Sequence, residues 1–325
     1  MKLVRRTFLH LAAGAAALPA VSRVASAQAY PARPVRLVVP FGSAGATDIV
    51  ARLVGQWLSE RLGQQFVVEN RPGAGGNLGI EAVVRAPPDG YTLVLCGAPS
   101  AINATLYDKL NFDFIRDIAP VAAAVRFPNL VVINPSVPAK TIAEFIAYAK
   151  ANPRRINMAS TGNGSTPHVN GELFKMMAGI NMVHVPYRSG AAAMTDLLSG
   201  QVQIYFGTTA TSIEYVKAGK LRALGVTTAT RSEALPDVAT VGEFVPGYEA
   251  TAWYGFGAPR DTPVAIIDLL NREINAVLAD PRLKARFDDL GGTVMTGSPR
   301  DFGELIAEET VKWGKVVKFS GAKAE

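Results

Sequence analysis

An α/β fold built on mainly parallel strands is predicted by three features of this sequence. From Pro31 onward, short β-branched runs alternate with amphipathic runs of helical period, the pattern of parallel sheets with helices on both faces. Two strand-to-helix junctions, far apart in the chain, share one grammar: glycines, serines and threonines leading straight into a helix. The 325 residues are 49% hydrophobic with a single cysteine, so a large core rather than disulfides has to supply stability.

Residues 1–29 stand apart from this pattern. Lys2, Arg5 and Arg6 form a charged start, 8–20 is an apolar stretch too short to span a bilayer, and Ala25-Ser-Ala27 is a small-residue cleavage site. The adjacent Arg5-Arg6 before Thr-Phe-Leu resembles a twin-arginine export signal, with a Sec signal as the alternative. Cleavage is expected near Ala27 or Ala29. The signal holds four basic residues, Lys2, Arg5, Arg6 and Arg23, and no acid, so the net charge of +6 falls to +2 in the mature chain. No long basic run remains, which argues against a nucleic-acid partner.

The first junction joins a strand at 35–41 to a helix at 48–62 through Gly42-Ser-Ala-Gly-Ala-Thr47. Thr47 or Asp48 is the expected cap, Ile49, Val50, Leu53, Val54, Trp57 and Leu58 form the buried stripe, and Gly63 is the stop. A strand at 66–69 leads to Asn70-Arg-Pro-Gly-Ala-Gly-Gly-Asn-Leu-Gly79 and a helix at 77–85. Counted from Gly73, the sixth position of a dinucleotide fingerprint is Leu78, and no P-loop motif occurs, so these glycines are expected to make a tight turn. No cofactor is called for. Cys96 ends a strand at 92–96 and is expected to be a small buried residue. Residues 126–129 and 246–257 are candidate inter-domain joints. The second of these reads either as a strand crossing near a cleft or as a strand packed in the core.

The second junction follows a strand at 155–159. Its loop, Thr161-Gly-Asn-Gly-Ser-Thr166, opens a helix at 167–177, with Thr166 as expected cap, Pro167 in the first turn and Gly179 as stop. Such a turn aims free N–H groups, hydroxyls and the positive end of a helix at one point, an anion site that needs no charged side chain. A ligand held between the two loops is the expectation. Two further loops have the same character. Tyr187-Arg-Ser-Gly-Ala191 follows a strand at 183–187, with Arg188 either pairing with a carboxylate or standing solvated. Phe206-Gly-Thr-Thr-Ala-Thr-Ser212 follows a strand at 202–206. Other strands are expected at 130–133 and 221–227, and other helices at 141–151, 191–198, 211–217, 263–278, 281–290 and 299–318. The mature chain has two histidines, His168 and His184; no zincin, nucleophile-elbow or C-x-x-C motif occurs and no metal cluster is expected.

Seven segments in order then carry a family resemblance: Pro40-Phe41 with Gly45-Ala-Thr-Asp-Ile-Val-Ala-Arg52; Glu69-Asn-Arg-Pro-Gly-Ala-Gly-Gly-Asn77; Pro88-Asp-Gly-Tyr-Thr92; His168 with Gly-Glu-Leu-Phe174; His184-Val-Pro-Tyr187; Asp196-Leu-Leu-Ser-Gly-Gln-Val202; and Ala218-Gly-Lys-Leu-Arg-Ala-Leu224. Together they resemble the Bug receptors, the extracytoplasmic substrate-binding proteins of tripartite tricarboxylate transporters. The resemblance implies a two-domain periplasmic binding protein that closes on its ligand like a flytrap. It implies a discontinuous first domain, 30–128 plus 254–325, and a second at 129–253. It further implies a monomeric periplasmic receptor for a small organic carboxylate, with membrane permease subunits as partners and no chemistry of its own. Carried over residue by residue, the grip falls on Phe41, Ser43, Ala44, Gly45, Ala46, Thr47 and Asp48 in one loop. In the other it falls on Ser160, Thr161, Gly162, Asn163, Gly164, Ser165 and His168. Neighbouring loops add Ser100 and Asn103, Tyr187 and Arg188, and Phe206, Thr208 and Thr209. Two departures lie in this site: Gly42-Ser-Ala-Gly45 stands where the family usually has Pro-Pro-Gly-Gly, and Arg188-Ser189 where it often has Lys-Gly. Two other functions compete on the residues. An exported hydrolase would need Ser165 or Thr166 to work with His168, and a signalling receptor would hand its liganded form to a sensor.

Overall fold

The computed structural model describes residues 30–320 and 324. The export-signal expectation for 1–29 lies outside them. Strand β1 (Val35–Val39) is buried almost throughout and leads into helix α1 (Ala46–Leu62). Val50, Ala51, Val54 and Leu58 of α1 are buried, and Gly63 ends the helix at φ 67°, a conformation that suits glycine. Next come β2 (Phe66–Asn70), a glycine turn, α2 (Asn77–Val84), β3 (Thr92–Gly97) and α3 (Ala98–Leu106). The turn is as expected: Gly73, Gly75 and Gly76 all have positive φ. Helix α3 is a correction, because the family resemblance implied a loop over 97–103.

A short helix α4 (Phe114–Asp117) precedes β4 (Ile118–Ile133), a 16-residue strand. The sequence analysis found only its last four residues. The preceding stretch, rich in alanine with Pro120 and Pro128, has no clear alternation and reads poorly as strand. The second half contains α5 (Ile142–Ala151), β5 (Asn157–Ser160), α6 (Thr166–Ala178), β6 (Val183–Pro186) and α7 (Gly190–Ser199). It continues through β7 (Ile204–Thr208), α8 (Thr209–Lys217) and β8 (Arg222–Val226). Strand β9 (Thr251–Pro259), α9 (Val264–Leu278), α10 (Pro281–Asp289), a two-residue β10 (Thr293–Val294) and α11 (Pro299–Ser320) close the chain. Helix α11 is tied to β9 by Glu309, whose carboxylate accepts from the indole N–H of both Trp253, at 3.0 Å, and Trp313, at 2.8 Å.

The strands form one mixed sheet in the order β2-β1-β3-β9-β4-β7-β5-β6, with β8 and β10 also paired to β4. Between strands, parallel pairing occurs in β2-β1-β3 on one flank and β7-β5-β6 on the other, while every pair made by β4 or β9 is antiparallel. The expectation of mainly parallel strands therefore holds on the flanks and fails in the middle. Strand β4 pairs with β9 over 118–128 and with β7 over 129–133, so it carries the sheet from one flank into the other. This fixes the polarity. Gly97, at the end of β3, is level with Tyr254 and so with Val125, while Thr208, at the end of β7, is level with Asn129. The carboxyl ends of the two flanks thus face each other across four residues of β4, roughly 13 Å of strand. In open α/β sheets such ends are where ligands bind.

Candidate anion cleft

Five helices begin in the gap between the flanks. Helix α1 starts after Gly45, α3 after Gly97, α6 after Ser165, α7 after Ser189 and α8 after Thr208. The caps differ slightly from the sequence expectation: Gly45 rather than Thr47 or Asp48, and Ser165 rather than Thr166. The first hydrogen-bonded turn of each helix closes one to three residues earlier than expected, Ile49 N–H donating to Gly45 O and Val169 N–H to Ser165 O. The N–H groups of a first turn have no partner within their own helix and carry the positive end of its dipole.

A narrow cavity of about 30 Å³, open to solvent on one side, is lined by these first turns: Gly45, Ala46 and Thr47 from α1; Pro99 from α3; Ser165, Thr166 and Pro167 from α6; Gly190 from α7; Thr208 and Thr211 from α8. Phe41, Gly42, Thr161, Tyr205 and Tyr254 complete the wall. Among the described residues, no Asp, Glu, Lys, Arg or His lines it. Tyr205 and Tyr254 are buried, and burial is the main cause holding both phenols well above their ordinary pKa. They stay protonated and able to donate, the Tyr254 hydroxyl facing Thr47 and that of Tyr205 facing Thr211.

Of the residues named from sequence, Phe41, Gly45, Ala46, Thr47, Thr161, Ser165 and Thr208 line this cavity. A second, wider cavity of about 620 Å³ shares Phe41 and Thr161 with it and is lined also by Gly162, Asn163, Tyr187 and Arg188. The remaining ten, Ser43, Ala44, Asp48, Ser100, Asn103, Ser160, Gly164, His168, Phe206 and Thr209, line neither. Several of them brace the loops instead. Burial alone would raise the pKa of Asp48, but hydrogen bonds from Arg52, Asn70 and the Ala44 N–H outweigh it and leave the carboxyl below its usual range. Ala44 itself sits at φ 59°, unusual for a residue with a Cβ. Asn103 donates to Gly75 O at 2.8 Å and to Asn77 Oδ1 at 3.0 Å. Phe206 is fully buried core.

Tyr205 and Tyr254 are not among the residues named from sequence, and Pro99 lies in the 97–103 loop that the resemblance implied without being named there. Tyr205 and Tyr254 reach the cleft only through strand register, although Tyr254 lies in the stretch flagged as a possible crossing strand. Gly42, Thr166, Pro167, Gly190 and Thr211 were inside loops already singled out but were not named as contacts.

The histidines serve the loop. Gly164 N–H donates to His168 Nδ1 at 3.1 Å, and the His168 ring stacks on His184 with centroids 4.0 Å apart. Burial, with a smaller contribution from Lys175, lowers the His168 pKa to about 4, so the ring is neutral at pH 7. His184 Nε2 lies 2.6 Å from Ser160 Oγ, below the cleft wall. The Ser165 hydroxyl donates to Gly162 O at 2.6 Å, while His168 Nδ1 accepts from the Gly164 N–H. Among the described residues no three His, Cys, Asp or Glu side chains are gathered as a metal would require. Cys96 is buried with its thiol on Gly255 O, and burial pushes its pKa up to about 12.

The family model described as the tripartite tricarboxylate transporter family receptor matches residues 50–321. The chain belongs to that family. Among its relatives, the protein BugT of Bordetella pertussis is 36% identical over 301 residues, covering 92% of each chain. A solved structure from R. palustris, determined with adipate, is 38% identical with a TM-score of 0.87, covering 90% of this chain and 98% of that one. MatC from Rhodopseudomonas palustris, with bound malate, is 32% identical with a TM-score of 0.85, covering 89% and 100%. The periplasmic binding protein BugD superposes with a TM-score of 0.88 at 33% identity over 91% of this chain and 100% of that one.

Proposed function

We propose that the protein is a periplasmic receptor that captures a small organic carboxylate in this cleft and delivers it to the permease of a tripartite tricarboxylate transporter. The observation that carries the reading is the convergence of five helix N-termini on a cavity without a charged side chain. Oriented N–H groups and hydroxyls complement a carboxylate, and fixed dipoles need little rearrangement to do so. The adipate and malate in the two neighbouring structures support the same class of ligand. On this reading the protein binds and releases its ligand unchanged. It is exported by the twin-arginine route, loses its signal near Ala27 or Ala29 and acts as a monomer. Residues 30–128 with 254–325 form one lobe and 129–253 the other, closing on the carboxylate because its donors come from both.

A thermal-shift screen of the mature chain against mono- and dicarboxylates tests the assignment. A ligand that binds only the folded state stabilises it by RT ln(1 + [L]/Kd), about 2.7 kcal/mol at a hundredfold excess over Kd. At least one carboxylate is expected to raise Tm while its primary amide does not. Equal shifts from acid and amide, or none from any acid, would refute the reading.

A further inference from the structure

The loops at 41–47 and 187–190 touch each other through glycine. A Cβ built on Gly42 would lie 2.5 Å from the carbonyl oxygen of Arg188 and 2.8 Å from Ser189 Cβ. A Cβ on Gly190 would lie 3.1 Å from Ala44 O and 3.2 Å from Gly45 Cα. The contact is reciprocal: each glycine sits against the backbone of the opposite loop, and both line the cleft. Neither has a left-handed φ, so an alanine at either position meets no conformational objection within its own loop. What forbids the side chain is the approach of the other loop. A parallel approach occurs beside the second cavity, where a Cβ on Gly75 would lie 2.6 Å from Asn163 O.

We infer that Gly42 and Gly190 are positioning residues for ligand capture: they form a side-chain-free seat on which the loops at 41–47 and 187–190 close over the bound carboxylate. The inference rests on the receptor reading above and adds the residues that set how far the cleft can shut. A methyl group at 42 meets a carbonyl oxygen held in the backbone and props the loops apart. At 190 the gap is tighter than ordinary contact but can give by a few tenths of an ångström. Binding weakens in proportion to the fraction of molecules able to close, since the apparent Kd is the intrinsic value divided by that fraction. The two substitutions act on one contact, so once either has propped it open the other costs less.

The test compares the parent chain with Gly42→Ala, Gly190→Ala, the double variant and Gly55→Ala. Gly55 lies inside α1, where a Cβ meets nothing nearer than 3.6 Å. Titration calorimetry with adipate and with malate as probes is combined with small-angle scattering and ligand-free Tm. Gly42→Ala is expected to raise Kd by about tenfold or more and to abolish ligand-dependent compaction. Gly190→Ala should raise Kd less, the double variant by less than the product of the two, and Gly55→Ala should bind as the parent does. Ligand-free Tm of the two cleft variants should stay within about 1 °C of the parent, less than the roughly 1.6 °C that a loss of 1 kcal/mol would produce in a chain of this size. Parent-like affinity and compaction in Gly42→Ala would overturn the proposal alone. A fall in ligand-free Tm that accounts for the lost binding would assign the glycines to folding instead, which also overturns it. If the parent binds neither acid and the wider carboxylate screen is also negative, the receptor reading fails and the seat with it.

Discussion

At the residue scale, Gly45 offers the cleanest probe of the cleft. It caps α1, lines the cavity and has φ −86°, and a Cβ there would meet nothing closer than 3.7 Å. Aspartate and asparagine are both good N-caps, so either should fold as well as glycine or slightly better. They differ in charge. Gly45→Asp puts a carboxylate among the dipoles meant for the ligand and should abolish measurable binding of a carboxylate in titration calorimetry. Gly45→Asn should retain binding, weakened only by its bulk. Equal affinities for the two would mean that the anion is held elsewhere. Gly164 looks from sequence like an equivalent position, but its φ is +76° and a Cβ there would lie 2.3 Å from Asn103 Oδ1. A substitution at 164 would therefore report on backbone strain rather than on charge. Such distinctions were not legible in the sequence, because they depend on which loop packs against which.

At the scale of elements, His168 and His184 join α6 to β6 by stacking, and the Gly164 N–H bonded to His168 Nδ1 holds the central loop on the same pair. His168 has a pKa near 4 in the folded chain against an ordinary value of 6.5, so between these values the unfolded chain binds the extra proton. Its contribution to stability is complete above pH 6.5 and is lost progressively as the pH falls toward 4. Tm should therefore begin to fall between about pH 6.5 and 5, before most carboxylates titrate, and His168→Phe should flatten that part of the profile. An unchanged slope in the variant would show that His168 does not titrate in this window. Most elements were legible in advance because their hydrophobic period is strong, as in the stripe Val50, Val54 and Leu58 of α1. The exceptions share a cause. Residues 118–128 become strand, and 98–106 helix, through burial in the middle of the sheet and against α11, and not through a local pattern in Ile118-Ala-Pro-Val-Ala-Ala-Ala-Val125 or Ala98-Pro-Ser-Ala-Ile102.

At the scale of the molecule, the long strand β4 decides the architecture. It turns two flanks of parallel strands toward each other, so that helices starting after β1, β3, β5, β6 and β7 all aim their first turns into one gap. The sequence showed the two glycine loops and their likeness in kind. That three further loops join them came only from the family resemblance, because their placement depends on the register of strands distant in the chain. The two departures from the family motif, Gly42 for proline and Arg188-Ser189 for Lys-Gly, meet in space at the contact between the loops. Arg188 lines the wider cavity, outside the uncharged one, so it is the natural rival for the ligand's carboxylate. A crystal structure of the mature protein with the acid selected by the thermal-shift screen separates the two. The carboxylate is predicted at the first turns of α1 and α6, accepting hydrogen bonds from backbone N–H groups and hydroxyls at about 2.7–3.1 Å, with no Arg or Lys in contact. A carboxylate paired with Arg188, with the first turns of α1 and α6 left to solvent, would contradict it.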